Sequence, residues 1–173
     1  MPARLSSPEQ LESLRKDILS RRDHTRPIIT VCAGTGCQTY GAGDVYQAIV
    51  GEVKKQGLET KLEVKATGCH GFCEKGVVVV ILPEEICYVK VITADVPELV
   101  GAAAKKMLVE RLLYVDPTTG QRIAREPDIP FYRNQTRIVF GHNKRIDPKN
   151  IDDYIALGGY VALGKALRQM SPE

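Results

Sequence analysis

Four of the five cysteines fall in two tight pairs, Cys32 with Cys37 and Cys69 with Cys73, and this spacing constrains the chain more than any other feature. Four residues separate the first pair, three separate the second, and 31 lie between the pairs. Four thiolates converging from two loops can hold two irons, two per iron, as an iron–sulfur cluster requires. The loop glycines suit that task. Gly34, Gly36, Gly68, Gly71 and Gly76 let the backbone approach closely and turn its N–H groups inward. Donors of that kind hydrogen-bond to cluster sulfurs and tune the potential. Phe72, beside Cys73, is placed to shield such a group from water.

Other uses of the same residues stay open. A structural zinc site also takes four cysteines, usually from short knuckles, and tolerates a four-residue spacer. Two disulfides are a further arrangement, disfavoured in a reducing compartment. A thiol–disulfide enzyme would place C-x-x-C near the first strand–helix junction, and the chain has none there. The plant-type ferredoxin run is absent too. Cys87 lies on a predicted strand, Ile86–Ile92, sharing a face with Val89 and Val91, which is the place of a small buried hydrophobe. His70 sits between two of the paired cysteines and is expected to hydrogen-bond in the loop rather than to ligate. His24 and His142 have no metal-like partners at close spacing.

No apolar run approaches the ~18 residues that span a bilayer. The opening, MPARLSSPEQLESLRK, lacks the apolar stretch of a signal peptide. A cytoplasmic protein is therefore expected. Residues 1–26 hold six Lys/Arg against four Asp/Glu, residues 27–105 seven against nine, and residues 106–173 eleven against eight. This mild asymmetry lacks the dense basic stripe of a nucleic-acid binder.

The chain is expected to open with a helix. Ser7 is its N-cap, Pro8 its first residue and Gln10 the partner in a capping box, with Leu11, Leu14, Ile18 and Leu19 on one stripe. Ile28–Val31 reads as a strand running into the first cysteine loop. Residues 44–56 read as a helix with Val45, Ala48, Ile49 and Val53 inward, stopped by Gly57. Leu62, Val64 and Ala66 alternate with charged residues as a half-buried strand. The continuous apolar run Val77–Leu82 predicts a central strand covered on both faces. After the Ile86–Ile92 strand, Asp95–Lys105 begins a helix. The fold class predicted is α/β, a mixed four-stranded sheet with flanking helices. Beyond it come a turn at residues 116–120, an extended polar stretch over residues 121–135, a strand over Thr136–Phe140, and a helix capped by Asp147-Pro148 that breaks near Gly158-Gly159 and resumes from Tyr160 to about Met170.

The segments VCAGTGCQTYGA and ATGCHGFCEKG closely resemble the thioredoxin-like [2Fe–2S] ferredoxins. That family uses C-x₄-C, a long gap, then C-x₃-C. The resemblance implies the thioredoxin-like fold and carries the four ligand roles onto Cys32, Cys37, Cys69 and Cys73. Two larger proteins share this module: the small iron–sulfur subunit of respiratory complex I, and the NADH-oxidising flavoprotein subunit of NADH dehydrogenases, NAD-linked hydrogenases, formate dehydrogenases and electron-bifurcating complexes. The flanks LLYVDPTTGQRI and DIPFYRNQTRIVFGHNKRIDPKNIDDYIALGGYVALGKALRQMSPE resemble the opening of the flavoprotein subunit.

The resemblance implies three parts: an N-terminal helix over 1–26, a thioredoxin-like [2Fe–2S] domain over 27–105, and a linker with the start of a flavin domain over 106–173. The glycine-rich loop for FMN and NADH, and the later four-cysteine [4Fe–4S] motif, lie outside this sequence. Ser171-Pro172-Glu173 also reads as a helix start. The chain is thus expected to be the N-terminal part of a longer subunit, with FMN and NAD on a downstream domain. The function implied is one-electron transfer, without a complete enzyme site. The partners implied are the downstream flavin domain and other iron–sulfur subunits, with no nucleic acid and no membrane span; a homo-oligomer is compatible. The alternatives are a zinc-stapled interaction module and the small complex I subunit.

Overall fold

The computed structural model describes residues 5–23 and 25–171. His24 and the end of the helix start at Ser171-Pro172-Glu173 lie outside them. The chain divides into two units, one built from residues 1–23 and 148–173, the other from residues 24–147.

In the first unit, α1 (Pro8–Ser20) begins as its sequence demands. Ser7 Oγ accepts from the Gln10 N–H at 3.4 Å, with Pro8 in the first turn. The Gln10 side chain accepts from the Ser6 N–H at 2.7 Å instead of from Ser7, so the capping box closes one residue early. Ile18 packs with Ile155 and Ala156, flanked by Leu11, Leu14 and Leu19, as the apolar stripe requires. Arg22 donates to the buried Asp153, and Arg168 pairs with Glu9.

The second unit is built on a four-stranded sheet. Its strand β1 (Ile28–Cys32) is flanked by β2 (Glu63–Thr67), parallel to it, and β3 (Val79–Leu82), antiparallel; β4 (Ile86–Tyr88) pairs with β3 on the far side. The order β2-β1-β3-β4 is the mixed sheet expected. Between β1 and β2 run α2 (Thr35–Thr39) and α3 (Ala42–Lys55). Val45, Ile49 and Val53 turn inward, and Gly57, at φ 65°, ends the helix by donating to Lys54 O. The predicted Val77–Leu82 strand is present from Val79 as β3; Val77 and Val78 lead into it just as buried, at most 1% exposed. The helix α4 (Val96–Ala104), with Leu99 and Val100 buried, packs beside α3.

Residues 106–147 join this unit. The turn at 116–120 closes a hairpin of β5 (Tyr114–Val115) and β6 (Arg122–Ile123). The flanks of that hairpin cover the open edge of β4: Val89 N–H donates to Leu112 O and Cys87 N–H to Ala124 O.

Several expectations are corrected. The strand at Ile86–Ile92 stops at Tyr88, because Lys90 turns the chain through a left-handed φ of 53°. Residues 121–135 are not extended throughout: a tight turn spans Glu126–Asp128, and a short helix, α5 (Pro130–Arg133), follows. Thr136–Phe140 forms no strand; with the edge of β4 already covered, it lies as an irregular segment with Ile138 and Val139 exposed. Asn150 caps α6 (Ile151–Ala156), accepting from Asp152 N–H at 3.0 Å, so Asp147 is not the cap. Gly158 (φ 89°) and Tyr160 (φ 64°) make the predicted break before α7 (Val161–Gln169). No helix among the described residues is long and apolar enough to cross a membrane.

Candidate metal centre

The structure brings Cys32, Cys37, Cys69 and Cys73 to one end of the sheet. Cys32 closes β1, and its N–H donates to Val78 O, while Ala33 N–H donates to Thr67 O at 2.9 Å. Those two bonds pin the first cysteine loop against the exits to β3 and from β2. Cys37 is then turned back by α2, a five-residue helix that sequence periodicity was too short to reveal.

Two glycines permit the convergence. A Cβ on Gly34 would fall 2.8 Å from Cys69 Cβ, and one on Gly36 would fall 2.7 Å from Cys73 Sγ. Only backbone fits where the two loops meet.

The thiols come as two touching pairs. Cys32 and Cys37 hydrogen-bond to one another, which pushes Cys32 far up and holds Cys37 down at about 7; burial raises both. Cys69 and Cys73 hydrogen-bond likewise, and Cys73 is raised, first by desolvation and then by the neighbouring Cys69. Cys37 also feels the charge of Cys73 and Cys69 across the gap. Among the described residues no three His, Cys, Asp or Glu side chains converge on the centre of a single metal ion.

Backbone N–H groups point at these sulfurs. The N–H groups of His70 and Gly34 near Cys32 and of Val78 near Cys37 act to lower those two thiols, and the Gly71 N–H donates to Cys69 Sγ at 3.2 Å. Gly71 holds a left-handed φ of 82° to do so. Four thiols on two converging loops, with backbone N–H groups turned toward them, suit an anionic group with sulfur acceptors; the residues present fit a [2Fe–2S] cluster.

His70 is fully buried, and both of its ring nitrogens are taken up by side chains other than the cysteines. Its Nε2 lies 3.0 Å from Thr67 Oγ1 and its Nδ1 3.2 Å from Glu126 Oε1. Glu126 is only 2% exposed, and Lys144 donates to its other oxygen. Burial alone would raise the Glu126 carboxyl, but His70 and Lys144 outweigh it and hold it below the ordinary value. Cys87 is wholly buried on β4, paired with Val80 and away from the four, and burial pushes its thiol well up. Phe72 stacks on Phe131 with centroids 4.3 Å apart and meets Tyr132 edge-on at 5.4 Å. His142 is exposed.

Glu126, Lys144, Arg137 and Asn143 were not predicted. They sit in polar sequence with no periodicity, and only the path of the chain brings them to the second cysteine loop.

In sequence the chain is 31% identical over 64 residues to a protein named "Ferredoxin, 2Fe-2S" from Clostridium pasteurianum. The match covers 37% of this chain and spans 63% of that relative's length. No family model matches. Among solved structures, the wild-type thioredoxin-like [2Fe-2S] ferredoxin from Aquifex aeolicus aligns with a TM-score of 0.48 and 29% identity, over 50% of this chain and 94% of its own. A second structure of a thioredoxin-like [2Fe-2S] ferredoxin from that organism gives 0.49 at 26% identity, over 57% and 98%.

Proposed function

We propose that this chain carries electrons one at a time through a [2Fe–2S] cluster held by Cys32, Cys37, Cys69 and Cys73. The observation that carries this is the convergence of the two cysteine loops across a glycine-lined gap, where a Cβ on Gly34, Gly36 or Gly76 would fall about 3 Å from the sulfur of Cys69, Cys73 or Cys37. A two-iron cluster takes two thiolates per iron, whereas structural zinc takes four around one centre. The sequence likeness to a [2Fe–2S] ferredoxin supports the same reading. The cluster would supply the redox chemistry. The chain's own task is to hold the sulfurs, exclude water with Phe72 and its aromatic neighbours, and set the potential through the N–H donors.

The finer setting is an N-terminal module of an NADH-oxidising flavoprotein subunit in a cytoplasmic, multi-subunit oxidoreductase. The flanks that resemble that subunit, residues 112–123 and 128–173, support it. FMN and NAD would sit on a downstream domain, and electrons would pass between that flavin, this cluster and further iron–sulfur subunits.

The test is chemical analysis of anaerobically prepared protein. Two irons and two acid-labile sulfides per chain are expected, with a paramagnetic signal after one-electron reduction by dithionite. Stoichiometric zinc without sulfide would overturn the assignment in favour of a zinc-stapled module. NADH should not bleach the cluster of this chain unless a flavin domain is supplied; bleaching by NADH alone would defeat the finer setting only.

A further inference from the structure

We infer that Arg137 and Asn143 are positioning residues of the cluster site, each gripping the outer end of a peptide unit whose inner N–H is turned toward the ligand sulfurs. This rests on the cluster reading above. Asn143 Nδ2 donates to Cys69 O at 3.3 Å, and Arg137 Nη2 donates to His70 O at 2.6 Å. In a trans peptide the carbonyl of one residue and the N–H of the next point in opposite directions. The unit gripped at Cys69 O therefore turns the His70 N–H away from Asn143, on the side of Cys32, whose thiol that N–H acts to lower. The unit gripped at His70 O turns the Gly71 N–H inward, and that N–H reaches Cys69 Sγ at 3.2 Å. Two clamps from one distant segment thus orient two successive peptide units of the second cysteine loop, one of which donates to Cys69 Sγ.

Both clamps are themselves braced. The Arg137 guanidinium lies over the Tyr132 ring, 4.5 Å from its centroid. Asn143 fills the space above Gly68, where a Cβ would come within 2.9 Å of its Cγ. Next to it, Lys144 is anchored to the buried Glu126 and, at 2.8 Å, to Glu85.

The electrostatic consequence has a sign. A donor on a carbonyl polarises the peptide and strengthens its N–H as a donor. Stronger N–H···S bonds favour the reduced, more negative cluster. Arg137, as a cation, should contribute more than the neutral Asn143.

The experiment is anaerobic redox titration of the cluster-loaded chain and of R137M, R137K, N143A and R133Q, followed by visible absorbance, with release of iron to a chelator timed in parallel. Arg133 is an exposed cation on α5 and serves as the control for simple loss of charge. R137M should shift to a more negative potential and release iron ~10-fold faster, the scale on which outer-sphere partners act. N143A should shift the same way by less, R137K should fall between R137M and the wild type, and R133Q should match the wild type. Where R137M fails to load, R137K and N143A carry the measurement. Wild-type potentials in the loaded Arg137 and Asn143 variants would overturn the inference, as would an equal shift in R133Q. A wild-type chain that binds no [2Fe–2S] cluster would instead strike the function proposed above, and this inference with it.

Discussion

Gly36→Ala should remove the cluster while leaving the fold. A Cβ at Gly36 would lie 2.7 Å from Cys73 Sγ and 2.9 Å from Cys73 Cβ. Carbon and sulfur do not pack closer than about 3.5 Å, so the two loops must separate by roughly 1 Å. Gly36 sits inside α2, between Thr35 and Cys37, and the first loop is pinned by bonds to Thr67 at the end of β2 and to Val78 just before β3. The movement therefore falls on Cys73. Overpacking of this kind costs about 1–3 kcal/mol of stability, which a folded domain commonly survives. A ligand displaced by ~1 Å exceeds the ~0.2 Å that metal–ligand distances tolerate. Iron and sulfide per chain after anaerobic reconstitution, beside urea unfolding of the cluster-free protein, separate the two effects. The control is Gly51→Ala. No atom lies within 4 Å of a Cβ there, in the middle of α3, so it should load normally and gain about 0.5–1 kcal/mol. A Gly36→Ala protein with full cluster content and wild-type stability would refute the close approach of the two loops.

Cys87→Ala should keep the cluster and lose roughly 1 kcal/mol in urea unfolding, the scale of a small core truncation; a cluster-free but folded variant would place Cys87 among the ligands. Arg22→Met should destabilise the α1–α6 unit by about 1–3 kcal/mol, less than a fully buried pair because Arg22 is 31% exposed, and thermal unfolding reads it. Because the Glu126 carboxyl is held below its ordinary value, it binds fewer protons folded than unfolded. Its stabilisation is complete above about pH 4.5 and fades as pH falls through the lowered value, so urea midpoints of the cluster-free protein should drop there and those of Glu126→Gln should drop less.

The parts of the site that were legible in the sequence are those set by local spacing. Cysteines four and three residues apart sit on single loops, and the uninterrupted Val77–Leu82 run marks the buried strand present from Val79 as β3. Gly57 marks a helix end because a left-handed φ suits it. What was hidden is long-range. Glu126 lies in a Pro-flanked polar stretch, which reads as surface, yet it is buried because His70 and Lys144 arrive from 56 residues before and 18 after. Thr136–Phe140 has the composition of a strand, but the only open edge of β4 is taken by the hairpin flanks, and composition cannot report an occupied edge. The reversal at Lys90 was invisible because a non-glycine residue at positive φ carries no compositional mark.

The pairing of α1 with α6 has a consequence for biosynthesis. Among the described residues, the stripe of Leu11, Leu14 and Ile18 clusters with Ile155 and Ala156 of α6. At about 5–20 residues per second, a ribosome reaches those residues on the order of ten seconds after α1 has been made. Throughout that interval the sheet domain can fold behind an amphipathic helix whose oily side has nothing to rest on. The nascent chain thus carries a transient sticky handle in α1, and a stop of translation before residue 151 would leave that stripe without α6.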